Sequence, residues 1–187
     1  MQQSINESNV KLVAEAIGRI VKSRQVGKLR ELDYQPEHFY ESLILRGEIA
    51  IPAGDHAGAA LLEPVFGNRP FQFPAKWYTG DKPRYVDILM REGNIPWVVE
   101  LKYAKGWHGY WRCFRHAISQ AVLYREFIRK TPAVRNLLQR KKGLDATACK
   151  ALVAFPESKS SDPNQIGQLR ELAADFDVEV FKFSPAP

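Results

Sequence analysis

Residues 84–103 read RYVDILMREGNIPWVVELKY, and this stretch decides the fold. Two runs rich in apolar, β-branched and aromatic residues flank Gly93 and Asn94. Both of these residues tolerate the positive φ angles that a two-residue hairpin turn requires. The pattern therefore predicts two antiparallel strands, over 84–91 and 96–103, in which Glu92 faces Ile95 and the register is fixed by the turn.

This register sets two carboxylates against each other. Asp87 faces Glu100, and Lys102 lies on the same strand face as Glu100. Like charges at directly opposed positions, about 4.5–5.5 Å apart at Cβ, destabilise a sheet, so something must offset the repulsion. Two interpretations stay open: a solvated acidic pair bridged by Lys102, or a divalent cation such as Mg²⁺ or Mn²⁺ held by both carboxylates. The opposite face is apolar and is predicted to be core (Val86, Ile88, Met90, Trp97, Val99 and Leu101).

Apolar periodicity in the rest of the chain predicts an α/β fold with a mixed central β-sheet flanked by helices. Helices are expected over 9–25, 37–44, 114–130 and 163–175, and further strands over 71–76, 148–155 and 178–183. Residues 51–70 read as loop, with 59–66 as a helical turn. We expect an N-terminal helical region over 1–60 and a second domain over 61–187.

The composition is that of an ordinary globular protein. Of the 187 residues, 45% are hydrophobic and 26% are charged, which excludes a disordered chain, a collagen and a coiled coil. No apolar run is long enough to span a membrane, and the N-terminus lacks the pattern of a secretory signal. Cys113 and Cys149 fit no metal-binding pattern, so we expect reduced thiols and a cytoplasmic location.

Positive charge is concentrated in one segment. The formal net charge is +6, but residues 102–142 contain eleven Lys and Arg and only one acidic residue, Glu126. Such a local excess points to a polyanionic partner, and the alternative is a solvated basic face.

The charged positions of the hairpin follow a known pattern. Asp87, a gap of twelve residues and then Glu100-Leu101-Lys102 resemble the signature of the PD-(D/E)XK nuclease superfamily. In the next predicted helix, Gln120 and Tyr124 resemble the QxxxY motif of the RecB-like branch. The resemblance covers about residues 70–183. It implies a restriction-endonuclease-like core and a Mg²⁺-dependent (or Mn²⁺-dependent) nuclease that hydrolyses nucleic acid, with DNA as the expected substrate.

The resemblance also implies roles for individual residues. Asp87, Glu100 and the Leu101 carbonyl would hold the metal ion. Lys102, Gln120 and Tyr124 would complete the catalytic set by orienting water and phosphate. The family often has a supporting glutamate upstream on a helix; Glu41 is the candidate here, with Glu37 and Glu63 as rivals.

A basic, aromatic stretch follows the second strand of the hairpin. Residues 103–112 read YAKGWHGYWR, and cations interleaved with aromatic residues suit a loop that contacts nucleic acid. The candidate contacts are Lys105, Trp107, Arg112 and Arg115, although the tryptophans of this loop could equally anchor it on the core. Two other functions stay open: a non-cleaving nucleic-acid-binding module, or a docking subunit whose N-terminal helices form a homodimer or bind a protein partner.

Overall fold

The computed structural model describes residues 36–54, 56, 58–67, 73–75, 84–103, 110–157 and 163–184. The helices are α1 (Pro36–Leu45), α2 (Tyr110–Lys130), α3 (Pro132–Lys142) and α4 (Pro163–Ala174), with a short 3₁₀ turn at Ala146–Ala148. The strands are β1 (Glu63–Pro64), β2 (Phe73–Ala75), β3 (Arg84–Val86), β4 (Ile88–Glu92), β5 (Ile95–Leu101), β6 (Lys150–Pro156) and β7 (Glu179–Phe183). The helix predicted over 9–25 lies outside the described residues.

Five strands form a mixed sheet in the order β1-β4-β5-β6-β7, and β2 pairs with β3 separately. Strands β1, β4 and β5 are antiparallel neighbours, whereas β5, β6 and β7 are parallel. The parallel connections run through α2 and α4, which share one core cluster and so cover the same face, as right-handed crossovers in one direction require. Helix α1 packs on the other face. The predicted α/β class, a mixed sheet flanked by helices, is confirmed.

The predicted hairpin register is confirmed along the whole β4–β5 ladder. Ile88 pairs with Val99 at one end and Glu92 pairs with Ile95 at the other. The turn residue Gly93 has a φ of 59°, the left-handed conformation expected there.

The prediction of one continuous strand over 84–91 was wrong, because the chain bends at Asp87. In an antiparallel ladder the hydrogen-bonded pairs alternate, so the pair after Ile88–Val99 would be Val86–Leu101. Instead, the Leu101 N–H donates to the Asp87 carboxylate Oδ2 at 3.0 Å. Val86 leaves the sheet and pairs with Phe73 of β2. It therefore packs in the core under α2 and not with Ile88.

Both faces of the hairpin are buried. On one side Leu89 and Val98 pack against Tyr124 and other side chains of α2. On the other side the predicted core residues from Ile88 to Leu101 pack against α1 and the segment that follows it. Residues 40–62 thus share a core with the sheet, and the division of the chain at residue 60 stays a prediction.

Two smaller expectations can also be compared with the structure, and one helix was not expected. The helical turn predicted over 59–66 was wrong: this segment contributes strand β1, and Leu62 N–H donates to Ile51 O at 2.8 Å. Helix α3 was not predicted. Helix α1 ends where expected, because Gly47, with a φ of 76°, donates its N–H to Ile44 O at 3.0 Å. No helix among the described residues is long and apolar enough to cross a membrane.

Candidate active site at the carboxyl end of strand β5

Three segments converge where β5 ends. Glu100 and Leu101 are its last residues, and Asp87 occupies the bend between β3 and β4. The first turn of α1 joins them, because the Tyr103 N–H donates to Glu37 Oε1 at 3.1 Å. The site is thus built by two strands and the start of a helix that is distant in sequence.

Lys102 lies between carboxylates. Its Nζ is 3.0 Å from Glu100 Oε1 and 4.0 Å from Glu37 Oε2. The Glu100 side chain is only 1% exposed and that of Lys102 is 15% exposed. The interpretation of a solvated acidic pair is therefore wrong for Glu100, which ends its strand beneath the covering layer of helix α2.

Burial dominates the electrostatics of Glu100. Loss of hydration, followed by the nearby Asp87 carboxylate, raises the pKa of Glu100 to about 8, against the opposing effect of Lys102. Its Oε2 atom is buried and has no hydrogen-bond partner among the described residues. Burial also raises the pKa of Asp87, although Lys102 and the Leu101 N–H both favour its ionised form.

The pKa of Lys102 is set by two opposing effects. Burial by itself would lower the pKa of Lys102, but the carboxylates of Glu100, Asp87 and Glu37 together raise it. Lys102 therefore stays protonated at neutral pH, and it acts in the site as a hydrogen-bond donor with a positive charge.

Two of the three candidate upstream glutamates lie near these residues. Glu37 contacts Lys102, as described above. Glu41 is 4% exposed, and burial raises its pKa, with Asp87 contributing in the same direction. Glu63 lies at the other end of the hairpin, where its carboxylate is 2.8 Å from Arg91 Nη2. The structure therefore separates Glu63 from the site.

Sequence reasoning missed His38. Its Nδ1 is 3.1 Å from Glu41 Oε2, and the charge of His38 also acts on Asp87. The other oxygen of Glu41, Oε1, is buried without a hydrogen-bond partner among the described residues. The signal that could have identified His38 is its spacing, three residues before Glu41 on a helix.

Helix α2 returns along the sheet from the end of β5. Tyr124 is 1% exposed and packs in the core with Leu89 and Val98. Gln120 lies one turn nearer the start of α2 and so at the level of Glu100, two residues beyond Val98 on β5. The Gln120 Oε1 atom is buried without a hydrogen-bond partner among the described residues.

The predicted nucleic-acid contacts are only partly visible. Lys105 and Trp107 lie outside the described residues. Arg112 belongs to the first turn of α2, and Arg115 is exposed one turn further along the same helix. Both are therefore placed on the part of α2 that begins near the end of β5.

The donor set fits a hard divalent cation. Asp87 and Glu100 offer carboxylate oxygens, which are the ligands that Mg²⁺ and Mn²⁺ prefer. The Oε2 atom of Glu100 has no hydrogen-bond partner among the residues described. Within the described ranges, no group of three His, Cys, Asp or Glu side chains is arranged to hold a metal ion. A cation at this site would thus combine two carboxylates with backbone carbonyl and water oxygens.

Comparison with known proteins assigns no family. No protein-family model matches the chain, and no curated protein and no solved structure matches it significantly. The functional interpretation therefore depends on the residues and on the geometry described above.

Proposed function

We propose that this protein is a metal-dependent nuclease that hydrolyses phosphodiester bonds of nucleic acid, with DNA as its expected substrate. One observation carries the proposal. Glu100 is a fully buried carboxylate beside Asp87, with one oxygen on Lys102 and the other without a hydrogen-bond partner in the part of the chain that the structure describes. Burying a charge is unfavourable unless it is paired, so two neighbouring carboxylates with one lysine favour a site that binds a cation.

In this proposal one set of residues binds the metal ion and Lys102 contacts the phosphate. Asp87, Glu100 and the Leu101 carbonyl would hold Mg²⁺ or Mn²⁺. The bound cation would polarise a phosphodiester oxygen and acidify a water molecule. Lys102, held in its protonated form by its carboxylate neighbours, would donate to the phosphate and stabilise the negative charge that develops there.

Neighbouring residues support this arrangement. Glu37 receives the Tyr103 N–H and lies 4.0 Å from the Lys102 Nζ, so it orients the lysine. Gln120, with its buried oxygen at the level of Glu100, would orient water or phosphate. Tyr124, one helical turn after Gln120, packs in the core and fixes the position of that part of α2.

The direct test is incubation of the protein with plasmid, linear duplex and single-stranded DNA in Mg²⁺, Mn²⁺ or EDTA. Cleavage is expected in the presence of either metal ion and not in EDTA. Asp87→Ala and Glu100→Ala should each reduce cleavage at least ~10²-fold, the scale of losing one strong electrostatic contribution. Binding of DNA should be retained, because it depends on basic residues elsewhere in the chain.

Glu63→Ala is the matched control, since it removes a carboxylate from β1, which pairs with β4 at the end of the hairpin away from the site. It should cleave at the wild-type rate. An Asp87→Ala protein that cuts at the wild-type rate would show that the site is misassigned. Binding of DNA without cleavage under any metal condition would favour a non-cleaving module, and absence of both would favour a docking subunit.

A further inference from the structure

Helix α3 ends in three consecutive cations that the proposed site does not use. Arg140, Lys141 and Lys142 form its last turn, and we call them the α3 basic tail. All three are exposed. The ion pairs among the described residues involve other cations, such as Arg91, Lys130 and Lys182. The charges of the tail therefore face solvent without a carboxylate partner there.

The structure holds this tail in a fixed position. Val134 and Leu138 anchor α3 in the core under α2. Gly143 ends the helix in the left-handed conformation and donates its N–H to Gln139 O at 2.9 Å. Lys142 Nζ lies 5.1 Å from the centre of the Phe66 ring, a cation–π contact that orients its side chain.

Nearby anions are already engaged. The Asp145 carboxylate accepts from the N–H and the hydroxyl of Thr147. The Glu63 carboxylate is paired with Arg91. Neither contact supplies a counter-charge to the tail, so the tail attracts anions from solution.

The tail and the proposed site lie along one side of the molecule. Phe66, whose ring Lys142 contacts, stacks on Phe73 with 6.2 Å between the ring centres. Phe73 pairs with Val86, the neighbour of Asp87. At the turn of the β4–β5 hairpin, the Asp145 N–H donates to Asn94 O at 2.8 Å.

The tail and the carboxylates nevertheless occupy different positions. Lys142 contacts Phe66, which follows β1 at the edge of the sheet, whereas Asp87 and Glu100 belong to the β4–β5 hairpin and the bend before it. A duplex bound at the carboxylates would therefore meet the tail at a different phosphate.

We propose that the α3 basic tail is a second phosphate-contacting surface, which binds a DNA duplex at a phosphate other than the one held at the carboxylate site. The proposal rests on the proposed function, because that function places the scissile phosphate at Asp87 and Glu100. Contacts of this kind are made to the backbone and carry no sequence information.

Binding is measured in EDTA, by titrating salt against a labelled duplex of 20 base pairs. Each phosphate contact contributes about 0.9 to the slope of log affinity against log salt. Lys141→Gln/Lys142→Gln should therefore flatten the slope by about two units.

Lys150→Gln/Lys182→Gln is the matched control. It removes the same net charge, but Lys150 lies over Trp97 on the opposite face of the sheet and Lys182 is on edge strand β7. Lys141→Arg/Lys142→Arg should keep the wild-type slope. An equal loss of slope in the control would overturn the proposal. If the wild-type protein binds with the expected slope but never cleaves with Mg²⁺, the proposed nuclease function is wrong while the phosphate contact of the α3 basic tail is retained.

Discussion

Glu100→Gln should stabilise the metal-free protein, and the gain should grow as the pH rises. The pKa of Glu100 is raised from 4.5 to about 8 by burial and by Asp87. Below pH 4.5 the carboxyl is protonated in both the folded and the unfolded chain, so it contributes no pH dependence. Above pH 4.5 the unfolded chain releases the proton while the folded chain keeps it, and folding becomes less favourable until the pH passes about 8.

The size of the effect follows from the pKa difference. Each pH unit between 4.5 and the folded pKa lowers the free energy of unfolding by about 1.4 kcal/mol. At pH 7 the wild-type protein should therefore have lost about 3 kcal/mol, which the uncharged amide of the variant does not lose. For a chain of this size that difference corresponds to roughly 6–12 °C in melting temperature.

Denaturation by urea in EDTA at pH 5, 6, 7 and 8, followed by tryptophan fluorescence, measures this difference. Trp97 is fully buried next to the hairpin and should report its unfolding. Glu63→Gln, which alters an exposed carboxylate on the neighbouring strand, should differ from wild type by less than about 0.5 kcal/mol throughout. A Glu100→Gln advantage that is the same at pH 5 and pH 7 would refute the reasoning from burial.

Two further predictions concern the metal and the fold. Millimolar Mg²⁺ should raise the melting temperature of the wild type but not that of Glu100→Gln, as measured by calorimetry; equal shifts would argue against Glu100 as a ligand. Arg125→Ala should lower the free energy of unfolding by about 2–3 kcal/mol, because the buried guanidinium donates to the carbonyls of Phe176 and Asp177 and holds a turn in which Asp177 has a φ of 53°. If urea denaturation shows a change in the free energy of unfolding below about 0.5 kcal/mol, the turn does not depend on Arg125 for its stability.

Local patterns predicted the hairpin well and its bend not at all. Gly93 and Asn94 lie between two apolar runs, so the turn and the register could be derived from neighbouring residues. The break at Asp87 has a cause outside its own strand, namely the N–H of Leu101, fourteen residues away, which its carboxylate accepts. No residue near Asp87 signals the bend, since Val86 and Ile88 both favour a strand.

Helix α3 had signals that could have been used. Pro132 stands at its first turn and Gly143 directly follows its last residue, an arrangement typical of a helix. Only Val134 and Leu138 are buried, so the apolar stripe is narrow and its periodicity is weak. The charged residues around them favoured the interpretation of a solvated run.

The proximity of Asp87 and Glu100 could be predicted from the register, whereas the burial of Glu100 could not. Burial requires α2 to pack over that face of the sheet, and such packing depends on contacts between distant parts of the chain. The same holds for Glu37 and Glu41, which reach the site only because α1 packs against the end of β5. The sequence therefore offered Glu41 as the candidate with Glu37 and Glu63 as rivals, and tertiary structure set only Glu63 apart.

The charge balance at the end of β5 argues for a functional role over a structural one. A buried ion pair that serves only the fold has charges of both signs in balance, and replacing it with apolar residues is often neutral or stabilising. Here the carboxyl groups of Glu100, Asp87 and Glu37 outnumber the single cation of Lys102, and the metal-free protein offsets the excess by keeping the proton of Glu100 up to a pH of about 8. A divalent cation that displaced this proton would supply the missing positive charge. The pH dependence of Glu100→Gln therefore measures the cost of ionising Glu100 while the ion is absent.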